Sequence, residues 1–400
     1  MHFTKKVAYF SLTTSLLFSQ QALAIDGLEA PSIGAIQAGT AGAGVANAHD
    51  STWMMLNPAS ISSLGEEFDY SAEIAKPEAS TDIHGPTGLT NPAGKQDSSI
   101  IQVIPAISYV KPLAVGALGI GSFGSSGVAT SYNQSITTPG QAGNFDKRIS
   151  YKLIQNVVSY AYPVDNSFSL GAGLHLNYAR FKTDMMDAST LTETEGDNKW
   201  DSAFGGGVQL GATKSFDNVK LGASYSFKQK MQKFDHYTDV VPYSLDIPAS
   251  AQAGVSYTIR PNLELVMDYK WIDWGGVKAF DRDPVDGGLG WKSQSIIMAG
   301  GTYTVNDKWK MRAGVSYGNS PIDNRAVFVN AQIPVVTTTH ATLGVSYELS
   351  SRTSINLAYM HAFNNSVTDS GDGDTFSQLG KGTKSALSID SIVIGSSIKF

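Results

Sequence analysis

Three basic side chains are placed so that they could bind an anion. Lys270 lies within the run Leu263 to Trp271, and Lys310 and Arg312 lie close together further along the chain. In both places every second residue is apolar, so the basic residues occupy the polar face of a strand. Arginine can hold a carboxylate through two hydrogen bonds, and lysine supplies a point charge. These residues are therefore candidate anchors for a ligand carboxylate, and Arg260 near a turn is a fourth.

The same basic residues have acidic neighbours with which they could pair instead. Glu264 and Asp268 share a strand face with Lys270, and Glu348 lies on a later strand. Paired charges are common on the inner, polar faces of membrane barrels. An ordinary network of lumen charges is thus the alternative to a carboxylate anchor.

Other patterns do not support catalysis, a metal or a cofactor. The run Gly314 to Gly318 has the spacing of a hydrolase nucleophile elbow around Ser316, but it lies inside an alternating strand and that motif needs a strand-to-helix turn. The seven histidines are scattered and cysteine is absent, so no metal site emerges. A Gly-rich acidic segment lacks the glutamate of a calcium loop and is interpreted as solvated: Asp369, Asp372 and Asp374. We expect no enzyme activity and no cofactor.

The segments that carry these residues alternate between apolar and polar residues over long stretches. The run Phe168 to Tyr178 has Leu and aromatic residues on one face and Ser, Gly, His and Asn on the other. Such runs reach the ~9–11 residues of a tilted transmembrane strand, whereas soluble strands average ~5–6. Short turns alternate with long polar segments, as in outer-membrane barrels. The pattern predicts an all-β fold, a transmembrane antiparallel β-barrel of about 14 strands.

Composition agrees with strands that have one lipid-facing and one polar face. Charged residues make up 16% of the chain, there are 40 glycines, and the mean hydropathy is −0.10. Beyond the leader we find no run of the ~18 apolar residues that a transmembrane helix needs. The formal net charge of −6 gives no basic footprint for nucleic acid.

The chain is predicted to begin with a secretory leader. Lys5 and Lys6 precede the apolar run Val7 to Phe18, and Ala22-Leu23-Ala24 supplies the small residues that a signal peptidase needs. Residues 1–24 are therefore the expected signal peptide.

The remaining chain divides into a plug and a barrel. Residues 25–65 are rich in Gly and Ala, too apolar for a solvated tail and too irregular for a strand, so we expect them to form a hatch inside the lumen. A barrel of this size needs such a filling if it is to be sealed. Residues 66–400 form the expected transmembrane barrel. Its terminal Phe400 resembles the signal by which barrel-assembly machinery recognises its clients.

With these features the chain resembles the FadL/TodX family of outer-membrane transporters for hydrophobic molecules. The resemblance begins in the Gly-rich run Gly39 to Ala48 and reaches the tripeptide Asn57-Pro58-Ala59, which looks like the family's hatch motif. Weaker patches follow in the expected order: Ile247 to Ala251, Gly254 to Tyr257, Asp268-Tyr269 with Trp274, Tyr317 to Ile322, Thr342 to Gly344 and Ala358 to His361. The resemblance covers essentially the whole mature chain.

The resemblance implies passive uptake of long-chain fatty acids or similar hydrophobic molecules across the bacterial outer membrane. It implies that cargo leaves sideways through a gap beside a kinked third strand, here Leu113 to Phe123. The glycines of the expected lateral gate lie in or next to this strand: Gly116, Gly119, Gly121 and Gly124. Pro105 in the preceding strand removes a ladder donor. Aromatic residues of a long loop are expected to capture cargo at the surface: Phe234, Tyr237 and Tyr243.

The hatch tripeptide Asn57-Pro58-Ala59 is expected to hold the plug in place, because proline fixes φ and asparagine favours tight turns. The preceding Met54 to Leu56 either line a pocket or pack in a core.

Three other functions remain open at this point. They are transport of monoaromatic hydrocarbons by the same architecture, a general hydrophilic porin, and a structural or adhesive barrel or outer-membrane lipase. The expected partners are the hydrophobic cargo, outer-membrane lipid, lipopolysaccharide and the barrel-assembly machinery. We expect a monomer and no nucleic-acid partner.

Overall fold

A computed structural model describes residues 26–84, 95–132, 147–184, 186–187, 192–193 and 197–400. The predicted leader, residues 1–24, lies outside these ranges. Within the described ranges, no helix is both long enough and apolar enough to cross a membrane.

Fourteen long strands dominate the described residues, and each pairs antiparallel with its neighbours. In chain order they are β1 (Glu67–Asp82), β2 (Gln102–Pro112), β3 (Ala117–Tyr132), β4 (Lys147–Pro163), β5 (Phe168–Thr183), β6 (Asp201–Phe216), β7 (Val219–Ser226), β8 (Ser250–Arg260), β9 (Leu263–Ile272), β10 (Gln294–Thr304), β11 (Trp309–Gly318), β12 (Thr339–Glu348), β13 (Thr353–Thr368) and β14 (Lys384–Lys399). Strand β14 pairs with β1 and β6 pairs with β7, so the sheet closes on itself. The predicted barrel of about fourteen antiparallel strands is confirmed.

The strands alternate between an apolar outer face and a buried inner face. On β9, Leu265, Met267 and Tyr269 are 44%, 55% and 47% exposed, whereas Val266 and Asp268 between them are buried. An apolar outer face is what strands in contact with lipid require. The alternation in the sequence therefore determines which residues face lipid and which face the lumen.

Connections at one end of the barrel are short and those at the other end are long. The short connections are residues 113–116, 164–167, 217–218, 261–262, 305–308 and 349–352. Outer-membrane barrels have short turns on the periplasmic side and long loops outside. The end with the long connections is therefore the extracellular end.

Short elements occur in the hatch and in the long connections. The hatch contains α1 (Gly34–Ala38), α2 (Trp53–Leu56) and a 3-10 turn (Ser60–Ser63). The long connections contain α3 (Lys278–Asp281), α4 (Thr375–Leu379) and the 3-10 turns Asp235–Tyr237, Trp274–Gly276 and Pro284–Asp286. Short strands pair with β1 (Gln96–Ser98), with β6 (Lys230–Met231) and with each other (Met186–Asp187 and Thr192–Glu193).

The long connections have an apolar core of their own. The rings of Trp274, Trp291 and Phe280 are all buried, and their centroids lie 4.8 to 5.0 Å apart. Aromatic pairs at this spacing contribute about 0.5–1.5 kcal/mol beyond their buried area. The extracellular end of the barrel is thus covered by packed segments.

The hatch fills the lumen. Helix α1 contacts strands β1, β12, β13 and β14, while α2 and the following 3-10 turn contact β4 and its neighbours. Trp53, Met54 and Asn57 in the middle of the hatch are fully buried. The hatch therefore touches opposite sides of the barrel wall.

Candidate functional site

The Asn57-Pro58-Ala59 tripeptide lies directly against two glycines of the wall. A Cβ atom built on Gly211 in β6 would lie 2.0 Å from Asn57 Oδ1, and one built on Gly171 in β5 would lie 2.3 Å from the Ala59 nitrogen. Both distances are far below van der Waals contact. The hatch can take this position only because both wall residues lack a side chain.

Other wall glycines contact the hatch in the same way. The nearest hatch atoms would lie 2.4 Å from a Cβ on Gly222, 2.5 Å from one on Gly314, and 2.9 Å from one on Gly300 or Gly344. We call the full set the glycine cradle: Gly171, Gly211, Gly222, Gly300, Gly314 and Gly344. It spreads over β5, β6, β7, β10, β11 and β12. Hatch backbone and wall backbone thus meet on several sides of the lumen with no room for a side chain between them.

Asn57 also joins the hatch to the wall by hydrogen bonds. Its Nδ2 donates to the carbonyl oxygens of Val45 and Ala212 at 2.9 and 3.1 Å, and its Oδ1 accepts from the Ala59 N–H at 3.0 Å. Leaving such a buried amide without partners costs about 1–3 kcal/mol. These contacts are what a structural role of the tripeptide requires, and the assignment of that role stays a prediction.

A wall carboxylate holds the hatch backbone on the far side of the lumen. Oδ2 of Asp268 in β9 accepts from the N–H groups of Gly44 and Val45, both at 2.8 Å, and from Gln252 Nε2 at 2.8 Å. Hydrogen bonds to an ionised group are worth about 1.5–3 kcal/mol. Asp268, an alternative partner for Lys270 in the sequence analysis, is thus engaged by the hatch.

Two more wall carboxylates bind hatch side chains and backbone. Glu264 accepts from Asn47 Nδ2 at 2.6 Å, and its second oxygen lies 2.9 Å from His49 Nε2. Asp69 in β1 accepts from the Ser51 N–H at 2.9 Å. Polar groups of the hatch are therefore matched by carboxylates on both sides of the barrel.

The lysines predicted to anchor a carboxylate both pair with acidic side chains. Lys270 Nζ lies 2.8 Å from Asp26 and 3.0 Å from Glu29, and Lys310 Nζ lies 3.2 Å from Glu348. The Lys310 side chain is 37% exposed, whereas that of Lys270 is 13% exposed. A ligand would therefore reach Lys310 more directly.

Arg312 lies beneath helix α1 of the hatch. Its Nη1 donates to Ser346 Oγ at 2.7 Å, and a Cβ built on Gly39 would lie 3.1 Å from its own Cβ. Arg260 is exposed at the end of β8. The structure brings Lys270, Arg312 and the hatch to the same lumen but separates Arg260 from them, and the anchor role of the three inner cations stays a prediction.

The barrel wall is interrupted between β2 and β3. The ladder between these strands ends at the pair Ala106–Phe123, although β2 still pairs with β1 and β3 still pairs with β4 beyond that point. We call the opening between Gln102–Pro105 of β2 and Gly124–Val128 of β3 the β2–β3 gap. Both sides of it belong to strands that are otherwise well paired.

A β-bulge marks the edge of the gap. The register between β3 and β4 shifts between Gly124 and Ser126, which leaves Ser125 as the extra residue. Bulges bend a strand and increase its twist. Above the gap, contact resumes where the Ser131 N–H donates to Ser98 Oγ at 2.9 Å. The gap is therefore a window with closed wall below and above it.

The first described residues of the chain lie beside this window. The Ala30 N–H donates to the Ser125 carbonyl at 2.8 Å, and the Gly127 N–H donates to the Leu28 carbonyl at 3.1 Å. We call Asp26–Ala30 the N-terminal strap. It uses backbone groups of β3 that β2 leaves without partners.

The N-terminal strap is also held from the opposite wall. Its two carboxylates pair with Lys270 on β9, a strand that is separated from β3 by five strands in one direction and seven in the other. Gly27 has a φ of +68°, and a Cβ built on it would lie 2.4 Å from the Trp274 ring. Only glycine adopts this positive φ at low cost and also leaves room for the Trp274 ring. The strap therefore crosses the lumen from wall to wall.

The predicted gate glycines lie at the β2–β3 gap and between it and the short connection 113–116. Gly116 has a φ of +75° in the turn between β2 and β3. Gly119 and Gly121 lie in the paired part of the ladder, where a Cβ on Gly121 would meet the Phe123 ring at 2.3 Å. Gly124 borders the gap itself.

A small polar cavity lies between the strap and the lumen wall. It has a volume of about 100 Å³, and Met55 and Leu56 are among its lining residues. Its polar lining is mostly uncharged: Gln155, Gln209, Gln229, Gln252 and His175. This volume suits a few water molecules and not a long acyl chain.

The aromatic residues predicted to capture cargo belong to the core of the long connections. Phe234 and Tyr237 are buried, and their rings lie 5.3 and 5.1 Å from that of Phe181. The Tyr243 hydroxyl donates to the Asp286 carbonyl at 3.1 Å. Cargo would contact Phe234 and Tyr237 only after this loop moved, so the capture role stays a prediction.

Sequence analysis missed the strap and the glycine cradle. Asp26 and Glu29 directly follow the predicted leader, and the partner Lys270 lies 244 residues from Asp26, so no local pattern connects them. The sequence does contain a signal for the cradle. Gly171 and Gly211 fall on the lumen-facing side of alternating strands, where glycine indicates the close approach of another backbone.

Comparison with known proteins identifies a family. The family model described as "Outer membrane protein transport protein (OMPP1/FadL/TodX)" matches residues 15–400. The outer membrane protein P1 of Haemophilus influenzae is 22% identical over 313 residues, which cover 64% of this chain and 65% of that protein. The match thus spans less than two thirds of that relative.

Solved structures share the fold at low sequence identity. The crystal structure of the toluene transporter TodX of P. putida has a TM-score of 0.72 at 19% identity and covers 92% of this chain and 99% of its own. A FadL homologue of Pseudomonas aeruginosa has a TM-score of 0.67 at 18% identity, covering 93% and 98%. The toluene transporter TbuX of Ralstonia pickettii has a TM-score of 0.64 at 18% identity, covering 92% and 99%.

Gly211→Ala is expected to loosen the hatch, because the new methyl group would lie 2.0 Å from Asn57 Oδ1. Overpacking of this kind costs about 1–3 kcal/mol. Hydrogen exchange of the hatch amides should become faster, and brief conductance events should appear in planar bilayers. Gly65→Ala is the control, since no atom lies within 4 Å of a Cβ at that position. Equal exchange rates in both variants would show that the cradle does not hold the hatch.

Asp268→Ala removes the acceptor for the Gly44 and Val45 N–H groups. We expect the local free energy of opening at these two amides to fall by about 1.5–3 kcal/mol. Hydrogen exchange followed by mass spectrometry measures this change. Asp307→Ala, in an exposed short connection, is the matched control. Unchanged protection of residues 44–45 in Asp268→Ala would contradict the anchoring role of this carboxylate.

Proposed function

The chain belongs to the outer membrane transport proteins of the OMPP1/FadL/TodX family, and from this we propose that it carries hydrophobic molecules passively across the bacterial outer membrane. In our proposal the cargo enters from the extracellular end and leaves through the β2–β3 gap into the lipid. The single observation that carries the proposal is the interruption of the β2–β3 ladder above Ala106–Phe123 in an otherwise closed barrel.

A sideways exit suits an oily molecule. Each CH₂ group removed from water gains about 0.8 kcal/mol, so release into the aqueous periplasm would oppose transport, whereas release into hydrocarbon favours it. On the β2 side of the gap, the apolar side chain of Val103 is exposed on the lipid side. A molecule that passed the window would therefore meet lipid directly.

The hatch supports this route over an axial one. Hatch backbone is in contact with wall glycines on several strands, and three wall carboxylates bind backbone or side-chain groups of the hatch. A general hydrophilic porin needs an open water channel along its axis. The filled lumen therefore favours a lateral route over a porin.

The N-terminal strap is our candidate for the moving part. Two backbone hydrogen bonds link it to β3, and Lys270 pairs with Asp26 and Glu29 at its other end. Each backbone hydrogen bond contributes only about 0.5–1.5 kcal/mol net. Release of the strap breaks these contacts but none of the ladder hydrogen bonds between β1 and β2 or between β3 and β4.

Long-chain fatty acids are our first candidate cargo, and neutral monoaromatic hydrocarbons are the second. A fatty acid would need a cation, and Lys310 is the most exposed of the three predicted inner anchors. The second candidate is favoured by a different observation: Lys270 and Lys310 already pair with carboxylates, and Arg312 lies buried under the hatch. A neutral cargo would need none of them.

Gly124→Trp tests the exit. The indole should fill the β2–β3 gap and slow uptake at least several-fold, because Gly124 lies on the outward side at its lower edge. Uptake of radiolabelled oleate and of toluene into whole cells would be measured side by side. The cargo whose uptake becomes slower in this variant identifies the transported class.

Ser122→Trp is the matched control for the exit. This residue faces lipid like its neighbours Leu118 and Ile120, but it lies in the paired part of the ladder opposite Ile107. We expect normal uptake. Normal uptake of both cargoes in Gly124→Trp would overturn the lateral route, provided that the variant barrel is folded.

Lys270→Gln tests the strap. The change removes both ion pairs to Asp26 and Glu29, so the amides of Ala30 and Gly127, which form the backbone hydrogen bonds between the strap and β3, should exchange faster and uptake should rise or keep its rate. Lys76→Gln, which breaks an exposed pair with Glu78 on the outside of β1, is the control. Faster exchange combined with a loss of uptake would mean that the strap guides cargo and does not merely obstruct it.

A further inference from the structure

A small cavity lies between the hatch and the wall, near the end of the lumen with the short connections. It has a volume of about 10 Å³, and Asp50 of the hatch and Asp69 of β1 are among its lining residues. A space of this size holds one water molecule or one metal ion. We call it the hatch–wall cavity. Hydroxyl and amide side chains of the wall complete its polar lining: Ser71, Asn356, Ser396 and Ser397.

One carboxylate oxygen of Asp69 has no hydrogen-bond partner. Asp69 is 3% exposed, and its Oδ2 accepts from both the N–H and the hydroxyl of Ser51. Its Oδ1 is buried and makes no hydrogen bond within the described part of the chain. Leaving a buried charged acceptor unpaired is costly. This oxygen therefore calls for a ligand, and the hatch–wall cavity beside it has room for one.

Asp50 on the hatch side of the cavity is held in a similar way. Its Oδ1 accepts from the Thr52 N–H at 2.9 Å and from the Thr52 hydroxyl. Each of the two carboxylates is thus oriented by hydrogen bonds to one of its oxygens. Hydrogen bonds of this kind orient the ligands of metal sites. Asp50 and Asp69 therefore form a pair of fixed carboxylates, one on the hatch and one on the wall.

Acidic groups outnumber basic groups around the cavity. Glu67 is also buried, its Oε1 lacks a partner among the described residues, and it interacts electrostatically with Asp50 and Asp69. The cations that act on these carboxylates are Arg312, which is buried, and Lys399, which is exposed. Buried charges of one sign repel each other and are costly unless they are compensated. A cation in the cavity would supply that compensation.

The side chains at the cavity determine which kind of cation fits. All of the side-chain atoms that could bind a metal there are oxygens, as hard cations prefer. No group of three acidic, His or Cys side chains in the described ranges is arranged to hold a metal, so two carboxylates must be supplemented by neutral oxygens. Ca²⁺ accepts such mixed and irregular shells of six to eight oxygens, whereas Mg²⁺ demands a near-ideal octahedron. The ligand set therefore favours calcium.

We propose that the hatch–wall cavity binds one Ca²⁺ ion, which bridges Asp50 of the hatch and Asp69 of the wall. Neutral oxygens of the lining and water complete its shell. The ion fastens the hatch to β1, β13 and β14, which carry none of the cradle glycines. It thus complements the glycine cradle on the part of the wall that the cradle leaves out. The assignment is independent of what the barrel transports.

The test titrates CaCl₂ into the chelator-treated full-length protein in detergent and follows binding by calorimetry. Asp69→Asn should weaken binding at least roughly tenfold, because a neutral amide replaces a charged ligand. Asp372→Asn is the control, since it removes an exposed carboxylate from the Gly-rich acidic segment, the other conceivable source of calcium binding. It should bind as the native protein does. Native binding in Asp69→Asn, or a loss of binding in Asp372→Asn, would overturn the proposal.

Hydrogen exchange locates the bound ion. Calcium should slow exchange at the amides of Ser51 and Thr52 several-fold, because these N–H groups bond to the two carboxylates that hold the ion. Unchanged rates in the presence of calcium would overturn the proposal. If lower pH slowed exchange at these amides instead, after correction for the intrinsic rates, a shared proton and not a metal ion would join the carboxylates.

Two further arms complete the test. Mg²⁺ in place of Ca²⁺ should bind at least roughly tenfold more weakly, and equal binding would overturn the assignment to calcium. Folded barrels shift in electrophoresis only after heating, which checks each variant. If Asp69→Asn does not fold, Asp50→Asn changes the hatch and leaves the wall intact, and it should weaken binding to a similar extent. Calcium binding is measured without cargo, so failure of this proposal is distinguishable from failure of the transport proposal.

Discussion

Direct contact between hatch backbone and wall glycines is the constraint on which the rest of the structure depends. A Cβ at Gly171, Gly211 or Gly222 would lie 2.4 Å or less from a hatch atom, so the hatch position and the absence of these side chains imply each other. Carboxylates of the wall then hold the hatch with charge-assisted hydrogen bonds, as Asp268 does for Gly44 and Val45. With the lumen filled in this way, the place where the wall is least tightly paired is the β2–β3 gap in its side.

At the β2–β3 gap, a bulge in β3 and the N-terminal strap complement each other. The bulge at Ser125 turns β3 away from β2, and the freed backbone groups of β3 are met by the N-terminal strap. A strap held by three hydrogen bonds to β3 and two ion pairs to Lys270 can leave without breaking the barrel, because the β3–β4 ladder on the other side stays intact. The contacts that hold the hatch in the lumen thus differ from those that hold the strap at the β2–β3 gap. The strap can be released while the hatch stays in place.

Much of this fold could be predicted from the sequence, because period-two alternation is a local signal. The outward and inward residues of β9 follow directly from the run Leu263 to Trp271. The strap could not be predicted, because its partner Lys270 is remote in sequence and ion pairs leave no periodic pattern. The capture role of Phe234 and Tyr237 stays a prediction, and their packing on Phe181 is a tertiary contact that no local sequence pattern indicates.

The central claim is that cargo passes through the β2–β3 gap, and photocrosslinking tests it most directly. A diazirine-tagged fatty acid would be activated during uptake in native membranes, and the labelled residues would be mapped by mass spectrometry. The account predicts label on the lips of the gap, at Val103 and at Ser126, and none at the periplasmic connection 217–218. Label at residues 217–218 with none at the gap would contradict it.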